Sequence, residues 1–371
     1  MDLTVSAAGV SAPVAARGTG IRPWLPASVL FFATMTWAVG ATWDIQWHAD
    51  VGPDTFFTLP HLFIYASAAI AGFTGLAVIL ATTAAGRGGR PVDSALGGPG
   101  IGVFGRTFTA PLGYLVTCLG AASFLLYGLW DLWWHSLYGF DAVIDSPPHI
   151  GLFLSSTVTS VGTVIVFAAA REHRWGRLGT LASLGHLVVS SVITALAVQQ
   201  LSTGTVRWTT AVTAFIVVLL LTTGAGFGRW GATGVAATAA LVQGVFWWFA
   251  PWAAQAYADF VDLPLRENIR IIPSTPSLVP LCLLPVGVGI DLLLRNGRAG
   301  WLPSLAGGLG GLVIAICAPW QTVLVRDARL PAVAVIVATA IAGGALGALG
   351  GFLGRRFGVM LRLAAAEGDR A

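Results

Sequence analysis

Ten apolar runs of membrane-spanning length constrain this chain more than any other feature. They lie at about 24–43, 59–83, 109–130, 147–170, 178–200, 208–228, 230–250, 275–294, 300–318 and 331–354. Each approaches the ~20 residues a helix needs to cross a bilayer core. In lipid every backbone N–H and C=O must be satisfied internally, which leaves helices or a closed barrel. The two-residue alternation of a membrane barrel is absent. The sequence therefore predicts an all-α, polytopic transmembrane helical bundle of about ten spans. Composition agrees: 56% of residues are hydrophobic and only 10% charged, against about 25% charged in soluble domains.

Arginine places the loops, because the chain contains no lysine. One side would hold Arg17, Arg22, Arg87, Arg90, Arg106, Arg171, Arg174, Arg177, Arg229, Arg295, Arg298, Arg355, Arg356, Arg362 and Arg370. The other would hold Arg207, Arg266, Arg270, Arg326 and Arg329. By the positive-inside rule, the first side is cytoplasmic, and both termini with it. The expected setting is the plasma or inner membrane of a bacterium. The modest net charge of +4 then reflects topology, and no nucleic-acid partner is expected. The chain divides into a mobile cytoplasmic tail (1–23), a duplicated metal-motif transmembrane unit (24–170), a C-terminal transmembrane scaffold or channel (171–356) and a second cytoplasmic tail (357–371). Residues 1–23 lack the apolar core of a signal peptide.

The outward loops are acidic, and two of them share a pattern. Residues 43–61 read WDIQWHADVGPDTFFTLPH and residues 130–149 read WDLWWHSLYGFDAVIDSPPH. Each runs Trp-Asp, three residues, His, five residues, Asp, then Pro-His opening the next apolar run. The expectation is a parallel internal repeat, a span–motif–span unit used twice. Asp44 and His48 are four residues apart, as are Asp131 and His135, so on a helix each pair shares one face. His61 and His149 follow prolines, which favour a helix's first turn, and can point back at the preceding pair. Each copy thus offers two histidines and a carboxylate, a metal-ligand set with open positions. Asp54 and Asp141, six residues after the first histidine, are placed to orient an imidazole from outside or to serve as a fourth ligand. Trp43, Trp47, Trp130, Trp133 and Trp134 read as an interfacial aromatic belt.

The first copy, D-x3-H-x12-H with Asp54, Thr55 and Phe57 between its histidines, resembles the membrane metal site of the C subunit of particulate methane and ammonia monooxygenases. Asp44, His48 and His61 match that family's three metal ligands in type and spacing. The resemblance implies a copper site, O2-dependent oxidation of a small apolar substrate, and further membrane subunits or an electron donor. The second copy departs from it, with thirteen residues between His135 and His149 and no Asp-Thr-x-Phe run. Iron or zinc are the alternative ions.

Other features are weaker. Cys118, Cys282 and Cys317 lie in apolar runs at spacings unlike a zinc site and read as buried, reduced residues. His173 reads as a solvated loop residue and His186 as a packed, hydrogen-bonded one. GIGVFG (100–105) matches a dinucleotide fingerprint by letters only, in an inner loop after no strand. Gly343, Gly347 and Gly351 recur every four residues, spacing that lets helices approach closely; packing within the chain is the expected use. FAPW (249–252) and CAPW (317–320) would end outward-going spans, and Gln199, Gln200, Gln243 and Gln321 would line a channel or pack. Two other functions fit paired histidines in a membrane: a transporter or metal-handling permease, and a bis-His haem electron-transfer protein. No flavin, iron–sulfur or nicotinamide motif is present, so an oxidase would draw electrons from elsewhere.

Overall fold

In the computed structural model, residues 20–139, 144–196, 204–267, 269, 272–296 and 299–367 are described. They form ten helices: α1 (Trp24–Asp50), α2 (Leu59–Arg87), α3 (Leu112–Tyr138), α4 (Pro147–Ala169), α5 (Arg174–Leu196), α6 (Trp208–Ala225), α7 (Gly231–Phe260), α8 (Leu283–Asn296), α9 (Leu302–Arg326) and α10 (Val333–Glu367). Nine are long and apolar enough to cross a membrane, and the chain is an integral membrane protein. The exception is α8. Its 14 residues rise only about 21 Å at 1.5 Å each, short of the ~30 Å core.

The sequence predicted one continuous span at 275–294. Instead a 3-10 turn, Pro276–Leu278, precedes α8. Unwound backbone inside a bundle needs side-chain partners, and two glutamines supply them. Gln243 Nε2 donates to the carbonyls of Pro276 and Val279, both at 3.0 Å. Gln321 Nε2 donates to those of Ser277 and Val279, and its Oε1 accepts from Leu281 N–H. These two residues therefore serve the backbone; Gln199 and Gln200 lie outside the described residues.

Several helices outrun their apolar stretch. α1 continues through Asp44 and His48 to Asp50, and α3 through Asp131 and His135 to Tyr138. Pro251 and Pro319 sit inside α7 and α9, not at their ends. α10 runs to Glu367, across much of the region expected as a tail. A two-stranded antiparallel hairpin, β1 (Gly100–Val103) with β2 (Phe108–Pro111), was not expected. Threonines at the end of α2 hold it: Thr109 N–H donates to Thr83 Oγ1 at 2.9 Å, and Thr82 Oγ1 to the Thr109 carbonyl at 2.8 Å. GIGVFG thus starts a strand and a turn, with no helix after it.

The most extensive helix pairs are α9–α10, α3–α4, α6–α10 and α1–α2. Gly343, Gly347 and Gly351 of α10 face Gly307 and Gly311 of α9, where any β-carbon would strike the opposite backbone. The glycine series therefore packs within the chain. α5 is the most enclosed helix, and the main apolar core gathers around it from α1, α4, α6, α7 and α8.

Candidate metal centre

Both predicted ligand sets converge, each on its own helical hairpin. In the first, α1 and α2 come close because Gly40 has no side chain; a β-carbon there would lie 2.8–2.9 Å from Ile64 and the Pro60 carbonyl. Asp44 and His48 stand one turn apart near the end of α1. His61 is the third residue of α2, after Pro60. His149 has the same place in α4, after Pro147 and Pro148, and its N–H is capped by Ser146 Oγ at 3.4 Å. Side chains in a first turn lean back toward the helix start, which brings these two rings over the preceding helix's Asp-His pair.

In the first cluster, Nε2 of His48 and His61 lie 3.9 and 3.0 Å from Asp44 Oδ1. The same atoms lie 3.1 and 3.4 Å from Asp54 Oδ2. Asp54 is therefore a full member, closer to His48 than Asp44 is. In the second cluster, Nε2 of His135 and of His149 each lie 3.4 Å from Asp131 Oδ1. Within each group one ligating atom per residue lies within 4.8 Å of all the others, so either could hold a metal ion. Nitrogen and oxygen ligands around one ion at about 2.0–2.2 Å stand about 3–4 Å apart, which these distances match. Asp141 lies outside the described residues.

Protonation decides what such crowding means. His61 Nδ1 is 3.0 Å from the Thr55 carbonyl oxygen, and His135 Nδ1 is 3.0 Å from that of Gly139. A carbonyl only accepts, so each Nδ1 carries a proton, and in neutral imidazole Nε2 is then a bare lone pair. Both Nε2 atoms face a carboxylate oxygen. Asp44 Oδ1 and Asp131 Oδ1 are buried, and a ring nitrogen this close to a buried carboxylate oxygen calls for positive charge between them, either a proton on Nε2, which makes an ion pair, or a shared metal ion. The helix dipole favours neutral histidine at His61 and His149, in the first turns of α2 and α4, and protonated histidine at His48 and His135, in the last turns of α1 and α3. Ring nitrogens and carboxylate oxygens converging on one point suit a shared cation.

The two clusters open into one cavity of about 370 Å³. Three carboxylates and four histidines line it with no arginine. The remaining wall is mainly apolar, with Trp37, Ile64, Phe124, Leu152 and Phe153 among its residues. Three carboxylates in such surroundings demand a countercharge. The apolar wall was not legible in the sequence, because its residues come from several helices and the segments between them and no local pattern marks them.

The tryptophans divide. Trp130 and Trp133 are exposed, as a belt requires. Trp43 and Trp47 are buried, 7% and 1% exposed, and belong to the interior. Tyr257 of α7 packs on both, with ring centroids at 5.7 and 4.8 Å, and its hydroxyl accepts from Leu59 N–H at the start of α2. The chain after α7 adds more support. Arg266 N–H donates to the Asp50 carbonyl at 2.7 Å, and Ser274 N–H to Gln46 Oε1 at 2.7 Å. Of the remaining histidines, His173 is exposed and stacks on Trp175. His186 is buried beside Phe31, but its Nε2 has no hydrogen-bond partner. The cysteines are free and half-buried.

No protein-family model, curated protein or solved structure matches this chain.

Proposed function

We propose that this chain is a membrane-embedded metalloprotein, an O2-dependent copper monooxygenase or its metal-bearing subunit, acting on a small apolar substrate. Asp44, His48, Asp54 and His61 hold one ion, and Asp131, His135 and His149 a second, in the shared cavity. The observation that carries this reading is the convergence of two imidazole Nε2 atoms on a buried carboxylate oxygen in each cluster, with all candidate ligand atoms of a cluster within 4.8 Å of one another. Copper so held supplies one-electron redox chemistry with O2 as oxidant. The protein's own part is to fix the imidazoles through the Thr55 and Gly139 carbonyls, to neutralise the ions with aspartate, and to exclude water with an apolar wall. The D-x3-H-x12-H resemblance to the methane and ammonia monooxygenase C subunit favours copper over iron or zinc. Electrons come from a partner subunit or donor.

The two hairpins form a parallel repeat of span–motif–span units. The arginine distribution puts both termini in the cytoplasm and the clusters near the outer face.

Metal analysis of detergent-purified protein with an optical spectrum tests this reading. Two copper ions per chain and no Soret band are expected. A Soret band would favour the haem reading, and no bound metal would leave a transporter as the better one. Paired loss of His48 and His61 should remove one ion and leave the other.

A further inference from the structure

Two of the three cysteines meet where α8 packs on α9, and contacts on either side of them fix their level. On α9, Gly310, Cys317 and Gln321 fall at i, i+7 and i+11 and so share one face. At the upper end of that face, Gln321 Oε1 accepts from Leu281 N–H, and its Nε2 donates to the Val279 carbonyl, both at 2.9 Å. At the lower end, a β-carbon at Gly310 would lie 3.1 Å from Val286 Cγ1. The two helices therefore run past each other in opposite directions. Cys317 stands between these anchors on the side of α9 that meets α8, and Cys282 stands between Leu281 and Val286. Helical side chains lean toward the helix start, so the Gln321 amide hangs over the turn that carries Cys317. It holds Leu281, and Cys282 after it, at that level. The two thiols lie within hydrogen-bonding reach of one another.

The backbone at this point has room to adjust. Cys282 is the last residue before α8, and its carbonyl accepts from Val286 N–H at 3.2 Å, the bond that opens the helix. Residues 279–282 are not helical. Closing an S–S bond of about 2.05 Å from such a contact needs only a small shift of one partner, and irregular backbone allows it.

The surroundings say which oxidant fits. Both cysteines are half-buried, and Leu281, Leu284, Ile316 and Trp320 beside them are exposed. In an integral membrane protein, an exposed apolar surface of this kind meets acyl chains. Cys317 lies well inside α9, nine residues before its end at Arg326. Thiols in apolar surroundings stay protonated and inert toward reagents dissolved in water. An oxidant dissolved in the membrane itself has access, and quinones are such oxidants.

We propose that Cys282 and Cys317 are a redox-active dithiol that closes to a disulfide with a membrane quinone as oxidant. Both S–H bonds break and one S–S bond forms; two electrons and two protons pass to the quinone, which leaves as the quinol. The new bond staples the irregular segment before α8 to α9. Neither cysteine lines the Asp/His cavity, and the pair works whatever that cavity binds.

Thiol counting on the full chain in lipid vesicles tests this. The reduced protein has three cysteines, and after denaturation N-ethylmaleimide should label all of them. Prior treatment with a lipid-soluble quinone, its ring fully substituted so that no thiol adds to it, should leave only Cys118 labelled and lower the intact mass by two hydrogens. Peptide mapping should then join the Cys282 and Cys317 peptides. Cys282→Ser and Cys317→Ser should each keep both remaining thiols under the same treatment. If a variant does not fold, the mapping of wild type carries the test. Full labelling of wild type after a treatment that oxidises an added small dithiol would overturn the proposal. A disulfide mapped to Cys118 or between two chains would do the same. Oxidation by hexacyanoferrate(III), which is charged and stays in water, at the rate seen with the quinone would overturn the choice of a membrane-dissolved oxidant.

Discussion

The α1–α2 and α3–α4 hairpins carry nearly the same string of residues, yet the protein treats them differently. The first is gripped from outside. Tyr257 packs on Trp43 and Trp47, Arg266 binds the Asp50 carbonyl, and Ser274 binds Gln46. Its cluster has two carboxylates for two histidines. The second hairpin shows Leu132, Trp133, Leu137 and Tyr138 on its outer surface, and its cluster has one carboxylate among the described residues, with the two rings 5.6 Å apart. A ligand set whose side chains are fixed by surrounding packing loses less freedom on binding an ion than one that is not. If each cluster holds an ion as proposed, the first is expected to be the tighter site and the second the more exchangeable one. Matching sequence patterns do not make equivalent sites; the neighbours that pack on them decide.

The strongest way to break this comparison is to remove ligands. His48→Ala with His61→Ala should abolish the tight ion and leave the exchangeable one, while His135→Ala with His149→Ala should do the reverse. Stepwise chelation followed by metal analysis reads both, and wild type should release the ion of the second cluster first. Release in the opposite order would refute the ranking. Next in size is Tyr257→Ala, which empties the space against two buried tryptophans and should cost about 3 kcal/mol. It should lower the unfolding midpoint and speed metal loss from the first cluster alone; equal acceleration at both clusters would mean that α7 does not buttress selectively. Asp54→Asn keeps the shape but removes a charge, and should weaken the first cluster roughly 10–100-fold, measured by competition with a chelator of known affinity. Trp47→Phe deletes the Nε1–H donation to the Pro53 carbonyl, 2.8 Å long, and shrinks a buried ring, and should cost about 2 kcal/mol in a denaturation series. The smallest effect belongs to Trp133→Ala, on the exposed face of α3. A change within about 0.5 kcal/mol is expected there, and a larger one would reveal packing that the exposed face of α3 does not account for.

Much of this was legible beforehand because the relevant rules are local. The i, i+4 spacing of Asp44 with His48 and of Asp131 with His135, and the prolines before His61 and His149, are statements about one or two helical turns. Apolar run length likewise announces a spanning helix without knowledge of its neighbours. What the sequence did not disclose depends on partners far away. Trp43 and Trp47 carry the letters of an interfacial belt, and partners on other helices make them interior, Phe63, Phe249 and Tyr257 around Trp43 and Tyr257 and Ala258 around Trp47. Asp54 stands in an irregular segment, where spacing cannot say which way a carboxylate turns. The 3-10 turn at Pro276–Leu278 reads as part of an apolar run, since the amides that permit it, Gln243 and Gln321, sit on other helices. The hairpin at 100–111 escaped because four-residue strands carry too little periodicity to register.

The prolines and short connections also set an order of events during synthesis. Every ligand of the first cluster falls within residues 44–61 and every described ligand of the second within 131–149, so each set can close as soon as its own pair of helices is inserted. The clamp on the first set is Tyr257, which at 5–20 residues per second leaves the ribosome roughly 10–40 s after His61. During that interval both clusters stand equally unbraced. Arrival of α7 then braces the first cluster and not the second. If the clusters hold metal as proposed, the time of metal delivery relative to translation would decide whether the braced one is filled.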